Sequence, residues 1–292
     1  MSTIYNKINI QQGSPEWLAW RKTKVTATDA AIIMGLNPFK TPYKLWQQKL
    51  GLIPPDKITD KMLEGQELEP EARKFYSFIS CTIEPLVVIN NDFPWQAASL
   101  DGITIEEGRE EFLVEIKCGK HAYEVAPEVP SYYYTQIQHQ LAVTGLHYCD
   151  YFCYRNDKEF HNVIVKRDEA FIKKMLIAEE QFYQSLVHFE PPEMKKSDFY
   201  QKIDEDWLAV AYQYKDVCTQ LENLESAKEL LKKRLVAMSD GINCIGGGLA
   251  VRKVVRKGNI AYAEIPELAD VNLDKYRKPA IESWRIDQKV ME

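Results

Sequence analysis

The sequence lacks long hydrophobic runs: no apolar stretch is long enough to span a bilayer, and residues 1–7 contain no signal-peptide core. Its six cysteines include no CxxC pair, so it offers no zinc or iron–sulfur motif, and the thiols are expected to be free and mostly buried. These absences predict a cytoplasmic protein in a reducing compartment, with no membrane contact.

An excess of positive charge is also missing, since the formal net charge is −6. The total charge therefore gives no sign of nucleic-acid binding, although a local basic surface is enough for DNA contact. With 292 residues, 45% hydrophobic and 27% charged, the chain suffices for one large globular domain or two smaller ones.

Two acidic motifs organise the candidate site. Asp101 follows an apolar run and precedes Gly102, a residue typical of turns. Glu115 and Lys117 lie in an apolar, β-branched segment that predicts a strand, where residues two apart share one face. If the preceding strand pairs antiparallel through a turn at residues 106–110, Asp101 lies beside Glu115.

The two carboxylates and the lysine predict metal-dependent phosphodiester hydrolysis. Carboxylates held together repel each other unless a cation lies between them, and oxygen ligands without histidine or thiolate favour Mg²⁺ or Mn²⁺. Two such ions stabilise both the attacking and the leaving oxygen, and Lys117 is placed to hold or deprotonate the attacking water. Asp-Gly and Glu-x-Lys are each common in structural turns and strands, but their combination favours catalysis.

The motifs Ser99-Leu100-Asp101-Gly102 and Glu115-Ile116-Lys117 resemble the Asp…Glu-x-Lys core of the restriction-endonuclease-like nucleases. They are most similar to those of the phage-type, lambda exonuclease (YqaJ) family, and three further stretches extend the similarity over about residues 14–190. The resemblance implies an α/β fold for residues 1–192, with a mixed central sheet flanked by helices.

The resemblance also implies an activity and partners. Members of this family are Mg²⁺- or Mn²⁺-dependent exonucleases that degrade linear double-stranded DNA from 5′ to 3′ and leave 3′ overhangs. It further implies a homo-oligomer, a trimeric ring around the DNA, with a single-strand annealing protein as partner and a phage or prophage origin.

Further catalytic residues are implied by similarity to the family at single positions. Glu69, on a predicted helix, is the third acidic residue at the metals, with Glu67 as the alternative. Gln136 orients the water near Lys117, and the Ile116 backbone carbonyl joins the two carboxylates as a metal ligand. Without the resemblance, a run of glutamines on a helix is typical of a solvent-exposed face.

A 5′-phosphate site is implied in the same way. Arg21, Thr28 and Ser99 match family positions that bind the terminal phosphate, and Lys120 lies where the family places an arginine. From the residues alone, Arg21 is a surface arginine, and Thr28 or Asp29 caps the short helix that follows. The N–H groups at such a helix start are suited to hold a phosphate.

Beyond residue 192 the sequence changes character. Apolar residues recur at heptad spacing from Ile203 to Met238, with Lys228 as the single break. This pattern predicts a long, coiled-coil-like helix within residues 193–241. Such a helix pairs within its own chain, docks on the nuclease domain or contacts another subunit.

The last segment, residues 242–292, is predicted to be a small β-containing region with strands over 249–255 and 260–265. A basic cluster near the turn between these strands contacts DNA or forms a solvated hairpin. Its members are Arg252, Lys253, Arg256 and Lys257.

Two other functions remain open on the residues alone. A structure-specific or restriction-like endonuclease would use the same metal site and would cut closed circular DNA. A non-catalytic DNA-binding module would keep the coiled coil without an intact site, and the presence of Asp101, Glu115 and Lys117 argues against it.

Overall fold

The computed structural model describes residues 4–104, 110–119, 123 and 128–254. The chain divides into two compact units, Met1–Phe199 and Tyr200–Glu292. The finer division predicted at residues 192 and 241 stays a prediction. No helix in the described ranges combines the length and the apolar character that a bilayer crossing requires.

The first unit contains six described α-helices. They are α1 (Pro15–Lys22), α2 (Ala27–Ile33), α3 (Pro42–Lys49), α4 (Asp60–Ile79), α5 (Ser131–Thr144) and α6 (Glu169–His188). Side chains of Ser14, Thr41, Thr59 and Asp168 accept hydrogen bonds from the first turns of α1, α3, α4 and α6, so these starts are set by local capping.

The start of α2 differs from the prediction. Thr26, not Thr28 or Asp29, is its N-cap, and Asp29 closes a capping box on it: the Thr26 N–H donates to Oδ2 of Asp29 over 2.8 Å. The helix therefore begins at Ala27, and Thr28 lies in its first turn.

A seven-stranded mixed sheet forms the centre of this unit. Its strands are β1 (Tyr5–Lys7), β2 (Val25–Thr26), β3 (Ile83–Asn90), β4 (Gln96–Thr104), β5 (Leu113–Cys118), β6 (Tyr148–Asn156) and β7 (Glu159–Lys166). The order is β1-β3-β4-β5-β6-β7, with β2 paired to β4. β5 pairs parallel with β6, and β2 pairs parallel with β4, while the other ladders are antiparallel.

Residues of β5 alternate between two apolar clusters because a strand turns successive side chains to opposite faces. Leu113 packs with Ile137 and Leu141 of α5, whereas Ile116 packs on the other face with Ala72 and Tyr76 of α4. The predicted α/β core, a mixed sheet flanked by helices, is confirmed.

Gly102 lies within β4 rather than in the turn that its sequence context favours. A Cβ at this position would lie 2.5 Å from Cδ1 and 3.2 Å from Cβ of Ile83 on the neighbouring strand β3. Glycine therefore permits the close approach of β3 to the strand that carries Asp101.

We expect Gly102→Ala to destabilise the protein by about 1–3 kcal/mol, because the new methyl group overpacks the buried Ile83 contact. Chemical denaturation of the two proteins measures this difference. Gly102→Ala combined with Ile83→Val, which shortens the opposing side chain, should recover part of the loss. An unchanged midpoint for the single variant would show that β3 moves freely at this point.

The second unit contains a 34-residue helix, α7 (Glu205–Met238), capped by Asp204, whose carboxylate accepts from the N–H of Trp207. The predicted helix is therefore present, but it begins after Ile203. It ends before Asp240 and Gly241, which both have positive φ.

A short hairpin follows α7. Strands β8 (Cys244–Gly246) and β9 (Leu249–Val251) pair antiparallel through Gly247 and Gly248, both with positive φ. β9 falls within the predicted strand 249–255, whereas β8 was not predicted. The predicted strand 260–265 lies outside the described residues.

Candidate active site

Asp101 and Glu115 lie opposite each other on neighbouring strands. β4 and β5 pair through Gly102 with Val114 and Ile103 with Leu113, which places the two acidic residues at the next position of the register. There the N–H of Ile116 donates to Oδ2 of Asp101 over 2.9 Å. The side chain of Asp101 thus joins the ladder where the two strands begin to separate.

The surroundings of Asp101 oppose its ionisation. Burial and the nearby carboxylate of Glu115 raise its pKa well above the ordinary value, and Glu69 adds to this effect. Lys117 and the Ile116 N–H act in the opposite direction but do not cancel it. A divalent cation would remove this repulsion, so the pair has the electrostatic character of a cation site.

Glu115 is completely buried and held by three side-chain donors. Its Oε1 accepts from Nζ of Lys117 and from Nε2 of Gln136, each over 2.5 Å, and its Oε2 accepts from Nε2 of Gln140 over 2.6 Å. Gln136 and Gln140 are one helical turn apart on α5 and therefore reach the same carboxylate.

Lys117 lies on the face of β5 that also carries Glu115. Burial disfavours its ammonium form, but Glu115 and Asp101 outweigh burial and raise the pKa of Lys117 above its ordinary value. Its Nζ also lies 4.6 Å from the centre of the Tyr133 ring, a cation–π contact. In this arrangement Lys117 is charged and acts as a hydrogen-bond donor.

Glu69 reaches the site from α4 together with Arg73. Arg73 contacts the Glu69 carboxylate through Nη2 and donates from Nε to the backbone carbonyl of Asp101 over 2.8 Å. Glu67, the alternative acidic residue, is exposed on the same helix. The structure therefore brings Glu69 toward Asp101 through a shared arginine.

The donor chemistry of the site fits a hard divalent cation. Three carboxylates, those of Glu69, Asp101 and Glu115, lie among two cationic side chains, so the local charge is negative. Within the described ranges, however, no three His, Cys, Asp or Glu side chains are grouped to hold a metal ion. The roles of these carboxylates and of the Ile116 carbonyl as ligands stay predictions.

The three described residues of the predicted phosphate site are connected through one tryptophan. Nη2 of Arg21 donates to Oγ1 of Thr28 over 2.7 Å, and its guanidinium lies 4.3 Å from the centre of the Trp17 ring. Nε1 of Trp17 donates to Oγ of Ser99 over 2.9 Å. Lys120, the fourth predicted contact, lies outside the described residues.

A buried lysine fixes the backbone that carries Arg21. Nζ of Lys49 donates to the carbonyls of Arg21 and Lys24 over 2.9 and 2.6 Å and forms a 2.6 Å ion pair with Asp29. Burial opposes the ionisation of Asp29, but Lys49 and Arg21 outweigh it and lower the pKa of that carboxyl. A cavity of about 530 Å³ adjoins this cluster, lined also by Lys40.

Four residues of these clusters were not singled out from the sequence: Trp17, Lys49, Arg73 and Gln140. Sequence spacing could have indicated three of them. Trp17, Arg73 and Gln140 each lie four residues, about one helical turn, from a predicted site residue, namely Arg21, Glu69 and Gln136. Lys49 had no such signal, since its contacts come from a different helix.

The sheet and the acidic pair on its central strands define the class. A mixed sheet flanked by helices, with Asp101 opposite a Glu-x-Lys strand, is the restriction-endonuclease-like nuclease core.

Comparison with known proteins shows which family part of the chain is similar to. Residues 16–147 match the family described as the YqaJ-like viral recombinase domain. The chain is 28% identical over 189 residues to protein YqaJ of Bacillus subtilis (strain 168). The match covers 61% of this chain and 58% of YqaJ. The chain is also 28% identical over 159 residues to protein R354 of Acanthamoeba polyphaga mimivirus. That match covers 48% of this chain and 28% of R354. The chain thus spans less than two thirds of the length of these relatives.

Solved structures agree with this assignment. The alkaline exonuclease LHK-Exo of Laribacter hongkongensis is 28% identical, with a TM-score of 0.51, and the match covers 60% of this chain and 94% of that one. LHK-Exo in complex with dAMP gives a TM-score of 0.52 at 26% identity, with the same coverage. The YqaJ-like match and the similarity to LHK-Exo support the resemblance to the phage-type exonuclease family that the motifs predicted.

Proposed function

We propose that this protein is a Mg²⁺-dependent exonuclease that degrades linear double-stranded DNA from 5′ to 3′ and leaves 3′ single-stranded overhangs. The observation that carries the proposal is the Asp101–Glu115 pair, in which Glu115 is buried, held together with Lys117 and Gln136 between the central strands β4 and β5. The similarity to LHK-Exo, an alkaline exonuclease, supports the same activity.

Asp101 and Glu115, with the Ile116 carbonyl and Glu69, would hold the cation, and Mn²⁺ would be accepted in place of Mg²⁺ because both prefer oxygen ligands. When bound as two ions, the metal would stabilise negative charge on the attacking and leaving oxygens of the phosphodiester.

The chain's own side chains position the attacking water. Lys117 is a charged donor to Oε1 of Glu115, and the amide of Gln136 donates to the same oxygen beside it. Gln140 holds the far oxygen of Glu115, so the carboxylate keeps one orientation while the substrate binds. The donors are fixed before the reaction, which lowers the reorganisation that the transition state requires.

Recognition of the 5′-phosphate is assigned to Arg21, Thr28 and Ser99, with Lys120 in addition. A guanidinium beside two hydroxyl groups supplies charge-assisted donors for a terminal phosphate, and Trp17 keeps them together. Binding of the terminal phosphate distinguishes an enzyme that starts at DNA ends from one that cuts internally.

The partners follow from the product. A 3′ overhang is the substrate of a single-strand annealing protein, so we propose such a protein as partner, in recombination of phage or prophage DNA. The description of the family as a viral recombinase domain supports this context. A homotrimeric ring around the DNA is proposed on the resemblance alone.

The test compares three DNA substrates in Mg²⁺: linear duplex with 5′-phosphate, linear duplex with 5′-hydroxyl and covalently closed circles. We expect fast loss of the first, slow loss of the second and no loss of the third. Cleavage of circles would favour the endonuclease alternative, and binding of all three without cleavage would favour a non-catalytic module.

We expect Arg21→Ala to reduce the preference for 5′-phosphate over 5′-hydroxyl ends about tenfold or more, because a charge-assisted contact to the phosphate is lost. Initial rates on the two linear substrates measure the preference. The matched control is Arg155→Ala, which removes an exposed arginine paired with Glu159 at the β6–β7 hairpin. Equal loss of rate on both ends would contradict a role at the phosphate.

A further inference from the structure

The heptad positions of α7 form an apolar stripe that is exposed along the helix. We define the stripe by its members: Trp207, Val210, Tyr214, Val217, Leu221, Leu224, Leu231, Leu235 and Met238. In the described part of the chain these side chains are between 39% (Leu235) and 75% (Met238) exposed, and no residue of α7 is buried. A continuous apolar surface of this length marks an interaction surface.

We propose that the stripe binds the stripe of a second copy of this chain in an antiparallel two-helix coiled coil. The spacing of the stripe, alternately three and four residues, is that of a coiled-coil seam. The helix has 34 residues, about 51 Å at 1.5 Å per residue, which is enough for more than four heptads of pairing.

The charges beside the stripe favour the antiparallel orientation. Asp206 and Arg234 occupy the same heptad position, at the two ends of α7. When the helices run in opposite directions about an axis near residue 219, Asp206 faces Arg234 of the partner subunit. The same alignment places Asp204, on the other side of the seam, opposite Lys232 of the partner subunit.

The apolar layers agree with the same alignment. It places Trp207 opposite Leu231 of the partner subunit and Tyr214 opposite Leu224 of the partner subunit, and the central layers combine Val217 with Leu221 of the partner subunit. The one break in the seam, Lys228, then faces Val210 of the partner subunit and can extend its amine past the edge of the seam.

A parallel, in-register pair lacks these advantages. It would bring together the two acidic helix starts, each containing Asp204, Glu205 and Asp206, and the two basic ends, each containing Lys232, Lys233 and Arg234. Residues 206 and 234 would then lie about 42 Å apart along the axis and could not pair. Antiparallel helices also align their macrodipoles favourably.

The test measures the mass of the 292-residue protein by light scattering and its dissociation constant by sedimentation. Leu221→Asp, which buries a charge in the central layer, should halve the mass of the assembly. Asp206→Arg and Arg234→Asp should each weaken association about tenfold, since each affects two symmetric ion pairs. The double variant should return to within about twofold of the original protein.

The matched control is Lys215→Asp, a charge reversal on the side of α7 away from the stripe, which should leave association unchanged. Helix content by circular dichroism checks that the variants fold. An unchanged mass for Leu221→Asp would overturn the proposal and show that the chain itself or another protein covers the stripe. Loss of association in both single variants without recovery in the double variant would overturn the antiparallel orientation.

Discussion

Asp101→Asn should reduce DNA hydrolysis about 1,000-fold, equivalent to about 4 kcal/mol of transition-state stabilisation, while making the metal-free protein more stable. The amide keeps the shape of the side chain and an oxygen for the Ile116 N–H, but it removes the charge that would hold the cation. The same charge is repelled by Glu115 in the absence of a cation, so its removal relieves the folded state. Loss of activity and gain of stability should therefore occur together.

The stability effect of Asp101 depends on pH in a defined direction. Burial and Glu115 raise its pKa in the folded state, so the folded protein holds this proton more tightly than the unfolded chain does. The loss of folding stability caused by Asp101 is absent below the ordinary carboxyl pKa. It grows as the pH rises toward the folded-state pKa of Asp101 and is constant above that pKa. Thermal melts in EDTA should show the largest advantage of Asp101→Asn at neutral and alkaline pH and none in acid.

The control for this experiment is Asp92→Asn, an exposed residue in the loop between β3 and β4. It should change neither the rate nor the melting temperature. Addition of Mg²⁺ should raise the melting temperature of the original protein and leave that of Asp101→Asn unchanged, because ligand binding stabilises only a folded state that has the site. Equal responses of both proteins to Mg²⁺ would place the cation elsewhere.

Glu179→Ala should have the largest effect on stability, about 3–5 kcal/mol, because it removes one partner of a buried ion pair. Nδ1 of His139 lies 2.6 Å from Oε1 of Glu179, and its Nε2 lies 3.0 Å from the carbonyl oxygen of Ala97. Both ring nitrogens face acceptor oxygens, an arrangement that favours the imidazolium form, in which both nitrogens donate. Gln96 donates to the other oxygen of Glu179, and the network thus joins β4, α5 and α6.

The pair also predicts how stability changes with pH. Burial lowers the pKa of His139, but Glu179 outweighs burial and the net shift is upward from 6.5. The stability contributed by the charged imidazole is therefore complete below about pH 6.5 and is lost as pH rises through the folded-state pKa. Denaturation of the original protein should show this loss, and His139→Gln should not.

His188→Gln is the matched control, because His188 is exposed at the end of α6. It should leave both the stability and its pH dependence unchanged. A pH dependence that persists in His139→Gln would mean that another group titrates in this range. A loss of less than about 1 kcal/mol in Glu179→Ala would show that the interior accommodates an unpaired histidine.

The sequence predicts the Asp101–Glu115 pair well for a physical reason. A strand has a period of two residues, so the spacing of Glu115 and Lys117 determines that they share a face. One antiparallel ladder then places Asp101 beside Glu115, at the position that follows the observed register of β4 and β5. Strand periodicity and pairing are therefore enough to predict a contact between residues on two consecutive strands.

Local rules fail where burial is decided by distant elements. Gln138 and Gln140 read as a solvent-exposed face, yet they are 0% and 1% exposed. The amide of Gln138 donates to the backbone carbonyl of Lys166 and accepts from the N–H of Asp168. The amide of Gln140 donates to the carboxylate of Glu115. Buried amides are stable only when such partners exist, and the partners are supplied by the fold.

The position of the strands around the glycine-rich turn at residues 246–248 was also not predicted by local rules. The sequence places strands after Gly246-Gly247-Gly248, but the structure places one strand on each side of Gly247 and Gly248. Three consecutive glycines allow several turn registers, so periodicity alone does not choose among them. The cap of α2 was misplaced for a related reason, because three residues within four positions, Thr26, Thr28 and Asp29, are all good caps.

Digestion of one linear duplex tests the central claim most directly. A duplex with 5′-phosphates, labelled separately at its 5′ and 3′ ends, is incubated with the original protein and with Asp101→Asn, in Mg²⁺ and in EDTA. We predict early release of the 5′ label, with retention of the 3′ label, only for the original protein in Mg²⁺. Release by Asp101→Asn, release in EDTA, or loss of the 3′ label first would contradict the assignment of the Asp101–Glu115 pair as a metal-dependent 5′–3′ exonuclease site.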